Sequence, residues 1–171
     1  MPPSSTPFFS MFVSPTLGKL KQNDLIEAVA SFIEAEPNAT YRLIIGSDSH
    51  KRGQNGISKL KLVTAIVVHR VGFGGRYFWQ GKLEEAAKSL RDKIYLETLL
   101  SLETAQIFLP SLNRRLNGHG HYELEIHIDV GRAGETRDMI REVVGMVTGN
   151  GFTAKTKPES YGASKVADKH T

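Results

Sequence analysis

At 171 residues the chain is long enough for one domain with a sizeable core, and its 40% hydrophobic and 23% charged residues are those of an ordinary globular protein. It has no cysteine, which excludes disulfides, thiolate zinc sites and cysteine nucleophiles, and no apolar run nears the roughly 18 residues of a membrane-spanning helix. The net charge is +4, concentrated between Tyr41 and Arg76, where Arg42, Lys51, Arg52, Lys59, Lys61, Arg70 and Arg76 face the single acid Asp48.

A basic surface around a lone carboxylate suits an anionic polymer such as nucleic acid. The plainer alternative is a solvated strand edge guarded by lysines. The opening Met-Pro-Pro-Ser-Ser-Thr-Pro lacks the basic and apolar regions of a secretory signal, so a cytoplasmic location is expected, with no membrane association.

In chain order, residues 1–21 read as an irregular Pro/Ser-rich arm carrying Phe8, Phe9 and Phe12, and residues 22–171 as a single domain. Asn23 is placed to cap a helix to about Ala35, with Leu25, Val29, Phe32 and Ile33 as its apolar stripe and Pro37 after its end. Three strand-like runs follow, Arg42–Gly46, Leu60–Val71 and Arg76–Gln80. The segments Arg52-Gly-Gln-Asn-Gly56 and Gly72-Phe-Gly-Gly75 separate them, which predicts an antiparallel meander. The stretch from about Glu84 to Leu109, free of glycine and proline, reads as a helix stopped by Pro110. Tyr122–Val130 reads as a strand, Glu135 to about Thr148 as a helix, Phe152–Thr156 as a short strand and Ser160 onward as a helix. The expected fold is therefore α/β, a ribonuclease-H-like mixed sheet: a three-strand antiparallel meander, then alternating helices and strands, preceded by an extra helix.

Two strand-then-acid units stand out, Leu43-Ile-Ile-Gly-Ser-Asp48 and Leu124-Glu-Ile-His-Ile-Asp129. Acids where strands run out are common functional positions in α/β sheets, although either aspartate could equally form a turn or cap a helix. Carboxylates that converge repel one another unless something cationic binds, and hard oxygen ligands suit Mg²⁺ or Mn²⁺ in two-metal phosphodiester cleavage. The long helix must supply a further carboxylate. At about 100° per residue, Glu97 falls on the face of Leu90, Ile94, Ser101 and Phe108, whereas Glu103 points away from Ile94 and is the reserve. A Glu on a packing face needs a partner, and pairing with Arg91 or Lys93 is the alternative account. Asp168 lies in the last few residues.

Several weaker features have plain explanations. His119-Gly-His121 reads as an exposed loop, Gly131-Arg-Ala-Gly134 as a helix entrance, and Tyr77, Phe78 and Trp79 as alternating strand aromatics.

The segments Gly46-Ser-Asp48-Ser, His127-Ile-Asp129-Val-Gly, Val144-Gly-Met-Val147 with Gly151-Phe, and Lys157-Pro-Glu-Ser-Tyr-Gly-Ala-Ser-Lys-Val-Ala-Asp168-Lys resemble the YkuK-type bacterial ribonuclease-H-like family, in matching order from about Phe12 to the C-terminus. The resemblance implies that fold and an acidic site at Asp48, Glu97, Asp129 and Asp168. On that basis Asp48 would bridge two ions, Asp129 and Asp168 would hold the one that activates water, and Glu97 would help hold the other. Lys157 would meet a phosphate or leaving group, and Ser164 would orient Asp168. Lys51 and Arg52, with Lys59 and Lys61, would grip the backbone of RNA, DNA or a hybrid. The expected function is a metal-dependent nuclease. The alternatives are a non-catalytic nucleic-acid-binding module on the same fold and, last, the actin and sugar-kinase branch, which needs two such domains.

Overall fold

The structure is a computed structural model that describes residues 11–85, 89–132, 134, 136–160 and 170. Among these, seven strands form one sheet in the order β2-β1-β5-β4-β3-β6-β7. The strands are β1 (Phe12–Ser14), β2 (Gly18–Leu20), β3 (Tyr41–Gln54), β4 (Ile57–Arg70), β5 (Gly75–Glu85), β6 (Glu123–His127) and β7 (Thr153–Lys155), and the helices are α1 (Gln22–Ala35), α2 (Leu90–Leu116) and α3 (Ile140–Gly149). β3, β4 and β5 form the antiparallel meander, and β6 and β7 add in parallel on the far side of β3. This is the α/β mixed sheet of a ribonuclease-H-like fold.

β3 is central, and its alternation sorts the molecule into two faces. Tyr41, Leu43 and Ile45 enter the main core with Leu25, Val29 and Ile33 of α1 and Ala105, Phe108 and Leu112 of α2. Ile44 points the other way, into a smaller cluster with Val63 and Ala65, against which Val67 and Trp79 pack. The β3–β4 hairpin closes at Asn55-Gly56, both at positive φ (55° and 74°), the backbone that a two-residue turn matching the sheet twist requires.

α3 begins at Ile140, after a 3-10 turn over Arg137–Met139, rather than near Glu135, and four further differences from the sequence expectations matter more. The arm is not irregular throughout: β1 and β2 form a hairpin whose Val13 pairs with Trp79, extending the sheet beyond β5. α1 starts at Gln22 with Lys21 at its cap and no side-chain cap bond, so Asn23 is inside the helix. α2 begins at Leu90, capped by Ser89 accepting from the Asp92 N–H at 3.1 Å, because Glu84 and Glu85 belong to β5. It also runs through Pro110 to Leu116. Proline there removes only the bond to the Gln106 carbonyl, and both residues lie on the exposed face, where water can take that bond.

The fourth difference positions the site. β3 does not end at Gly46 but runs on through Ser47, Asp48 and Ser49, paired residue for residue with β4. What ends is its other neighbour. The β3–β6 ladder stops at Gly46↔His127, and Asp129 lies beyond β6 rather than inside a strand reaching Val130. Past that point one edge of β3 has no strand beside it among the described residues.

Candidate functional site

Where β6 stops, the next three residues of β3 become polar without becoming exposed. Ser47, Asp48 and Ser49 are 2%, 6% and 0% exposed, as deeply placed as Leu43, Ile44 and Ile45 before them. Burial of this kind is stable only when every polar group finds a partner. Ser47 Oγ lies 3.1 Å from Thr64 Oγ1 on β4 and 2.8 Å from Ser101 Oγ on α2. Ser49 Oγ donates to Glu97 Oε1 at 2.6 Å. Both serines therefore face α2, and strand alternation turns Asp48, between them, to the opposite face.

Asp48 meets two potential cations. Its Oδ2 is 3.0 Å from His50 Nε2 and its Oδ1 is 3.9 Å from Lys93 Nζ. Lys93, one turn before Glu97 on α2, also donates to Glu97 Oε1 at 2.7 Å, so its ammonium bridges the two carboxylates around the open edge of β3. Burial works to lower the Lys93 pKa, but Glu97, with Asp48 and Asp129 adding to it, outweighs that and raises it. Burial raises the carboxyl of Glu97, against the opposing pull of Lys93 and Ser49. All three acids therefore lie within electrostatic reach of a single ammonium. Continuing the parallel register two residues past Gly46↔His127 puts Asp129 level with Asp48.

Asp129 is partly exposed and pairs with Lys157 Nζ at 2.8 Å. The Lys157 N–H donates to the Val130 carbonyl, which ties the segment after β7 to the segment after β6. Gly131 permits that approach, since a Cβ there would lie 3.1 Å from Lys157 Cβ. Two depressions flank the acids. One, of about 310 Å³, includes Lys93, His50, Lys51 and Ser89, and the other, of about 580 Å³, includes Gly131, Arg132 and Lys157.

Of the expected site residues, Asp48 and Glu97 meet at Lys93, and Asp129 pairs with Lys157. Glu103 is exposed on the other side of α2. Asp168 and Ser164 lie outside the described residues. The chain two residues beyond Asp168 is anchored near the site, however. Lys61, opposite His50 in register, donates to the His170 carbonyl at 2.7 Å, and the His170 ring stacks on Trp79 at 4.3 Å. The Lys61 ammonium therefore binds the C-terminal segment. Lys51, Arg52 and Lys59 are exposed at the hairpin end, with Arg52 and Lys59 directly opposite one another. His119 and His121 are exposed, and Phe78 belongs to the core.

Sequence reasoning treated Lys93 only as an alternative partner for Glu97. The i, i+4 spacing of Lys93 and Glu97 held the signal, but the link to Asp48 depends on β6 ending where it does. A second polar pair lies on the same face as Asp48: His127, buried, with Nε2 3.0 Å from Glu125 Oε2 and no bond at Nδ1. Burial lowers its pKa, partly offset by Glu125.

The donor set suits a hard divalent ion in kind, being carboxylate oxygen throughout. Among the described residues, no three acids or histidines are grouped closely enough to hold one, and the position between Asp48 and Glu97 is bridged by Lys93. No helix among the described residues is long and apolar enough to cross a membrane.

The model of the family described as "Ribonuclease H-like" matches residues 24–171. The chain is 33% identical to "Uncharacterized protein YkuK" of Bacillus subtilis (strain 168) over 94% of this chain and 96% of the relative. No solved structure matches. A match that runs from α1 to the last residue, over a sheet ordered β5-β4-β3-β6-β7 at its centre, places this chain in the ribonuclease H-like family, within its YkuK-type branch.

Proposed function

We propose that the protein is a metal-dependent nuclease whose site lies at the open edge of β3. Family membership points to nucleic acid as the partner, whether cut or bound. The observation that carries the reading further is the Lys93 ammonium set between Glu97 at 2.7 Å and Asp48 at 3.9 Å, with Asp129 level with Asp48 where the β6 register is continued. Buried carboxylates that share a neighbourhood are costly unless a cation is present, and their oxygens are the ligands Mg²⁺ and Mn²⁺ prefer. Asp48, Glu97 and Asp129, with Asp168 as the expected fourth, would hold the ion. When bound, it would supply a nucleophilic water and charge stabilisation at a phosphate.

The chain's own residues do the rest. Lys157 and Arg132 offer positive charge on one side of the acids, and Lys51 and Lys93 on the other, so a phosphate backbone can lie across the site. Arg52 and Lys59 continue that track along the hairpin.

The test is cleavage of labelled RNA, DNA and hybrid duplexes with Mg²⁺ or Mn²⁺, with and without chelator. Asp48→Asn should abolish cleavage, because a neutral amide holds a divalent ion poorly, and should leave binding intact or stronger. Cleavage that persists in the variant would place the chemistry elsewhere.

A non-catalytic nucleic-acid-binding module is the second reading. The bridging of Asp48 and Glu97 by Lys93 favours it, since that pairing neutralises the acids without any metal. Wild-type protein that binds these substrates and cuts none of them would select it.

A further inference from the structure

We propose that the depression between the hairpin end of β3 and the start of α2 holds one unpaired nucleotide of the substrate, with its base on Leu60 and Leu90 and its phosphate toward Lys51 and Lys93. The inference rests on the nucleic-acid reading above, whether the chain cuts or only binds, and it names the form of substrate that the site takes.

The chemistry of the lining carries it. The depression encloses about 310 Å³, at the small end of the roughly 300–1,000 Å³ of ligand pockets. Its lining brings together two ammoniums and no carboxylate, which selects an anion. Lys93 is shared, since it holds Glu97 at 2.7 Å and reaches Asp48 at 3.9 Å. Lys51, exposed on the hairpin, is therefore the main phosphate contact, and Lys93 keeps that phosphate beside the acids.

A phosphate alone would have no use for the apolar floor. Leu60 is 1% exposed and fixed in a cluster with Leu62 and Leu100, whereas Leu90, the first residue of α2, is 39% exposed. A base laid on Leu90 removes apolar surface of both partners from water. Ser89 Oγ accepts from the Asp92 N–H at 3.1 Å, which leaves its own hydrogen to donate to a base or ribose oxygen.

His50 also lines the depression and lies 3.0 Å from Asp48 Oδ2, so the depression and the acids share two residues, His50 and Lys93. A nucleotide held there presents its phosphodiester to the acids. A base within a duplex must leave its stack and its partner to enter, a cost that a single strand escapes. The site therefore favours single strands and frayed ends over closed duplex.

Fluorescence anisotropy of the full chain in chelator, which holds cleavage off, compares a labelled single strand of about 12 nucleotides with a blunt duplex of the same length. Wild type should bind the single strand about tenfold more tightly. Adenosine 5′-monophosphate should displace the strand at concentrations where inorganic phosphate does not. Leu90→Ala should weaken single-strand binding about fivefold with the salt dependence unchanged, because it removes apolar surface and no charge. Equal affinity for strand and duplex, equal displacement by phosphate and the monophosphate, or a folded Leu90→Ala protein that binds the strand like wild type would each overturn the inference and leave the proposed function standing. Wild-type protein that binds neither strand nor duplex would remove both. The wild-type comparisons decide the matter even if Leu90→Ala fails to fold.

Discussion

Two stretches of β3, Leu43–Ile45 and Ser47–Ser49, are equally buried and chemically opposite. Tyr41 to Ile45 has a neighbouring strand on each side and sends apolar side chains into the helices and the smaller cluster. Ser47 to Ser49 keeps β4 on one side, loses β6 on the other, and carries hydroxyls and a carboxylate at the same depth. The difference shows that a central strand can change from core to site without changing its backbone. It is enough for a neighbour to stop. Stability in the first half comes from apolar area, whereas in the second it comes from matched polar partners, which also make that half suited to chemistry.

The largest expected effect of breaking this contrast is on the apolar side. Leu43, fully buried between β4 and β6, should lose about 2–5 kcal/mol on Leu43→Ala, measured by denaturant unfolding. Metal uptake per folded molecule should be unchanged. A loss of metal uptake at full folding would show that the two halves are not separable.

On the polar side, Ser47→Ala leaves the Thr64 and Ser101 hydroxyls each short of a partner, at a cost of about 1–3 kcal/mol. Ser47→Ala combined with Ser101→Ala should cost less than the sum of the two single changes, which a double-mutant cycle reads as coupling. Strict additivity would mean the serines do not act as a unit.

The hairpin end of β3 is the place to sharpen the comparison, because its charged side chains are exposed. Arg52 and Lys59 lie directly opposite one another, an arrangement that is mildly unfavourable. Replacing Lys51, Arg52 and Lys59 with Ala should leave unfolding within about 0.5 kcal/mol of wild type. The same change should flatten the dependence of nucleic-acid binding on log salt by about 0.7–0.9 for each phosphate no longer neutralised. Wild-type binding that ignores salt would contradict the basic track.

The smallest effect is expected far from β3, where Arg115 on α2 holds Glu27 and Glu34 of α1. Its hydrogen bonds, with Ser31 adding to them, hold the Glu27 pKa at about 2, below the ordinary 4.5. A lowered carboxyl pKa contributes stability above the unfolded value and loses it as pH falls through the window from 4.5 to about 2. Arg115→Ala should therefore lower the unfolding temperature slightly at pH 7, and the gap to wild type should close below pH 4.5 and in high salt. A gap that widens on acidification would reverse the sign.

Much of the apolar half was legible in the sequence, because Leu43-Ile-Ile is a strand run in any context and Asn-Gly marks a hairpin. The helix phase at about 100° per residue also put Glu97 on the inner face of α2, where it is found. The family resemblance rested on short motifs that the match over residues 24–171 now covers. The polar half was less legible. Gly-Ser-Asp-Ser reads as a turn because its hydroxyls and carboxylate ordinarily need water, and the partners that replace water, Ser101 and Glu97, lie about fifty residues away. Lys93 was missed as a site residue for the same reason: its second contact exists only because β6 ends opposite Gly46.

The central claim is that this open edge binds a divalent ion, and a crystal grown with Mn²⁺ tests it most directly. Anomalous scattering should place an ion within about 2.0–2.3 Å of carboxylate oxygens of Asp48 and Asp129, with Lys93 still on Glu97. Saturating Mn²⁺ that leaves Asp48 still paired with His50 and Lys93, and no ion at this edge, would contradict it.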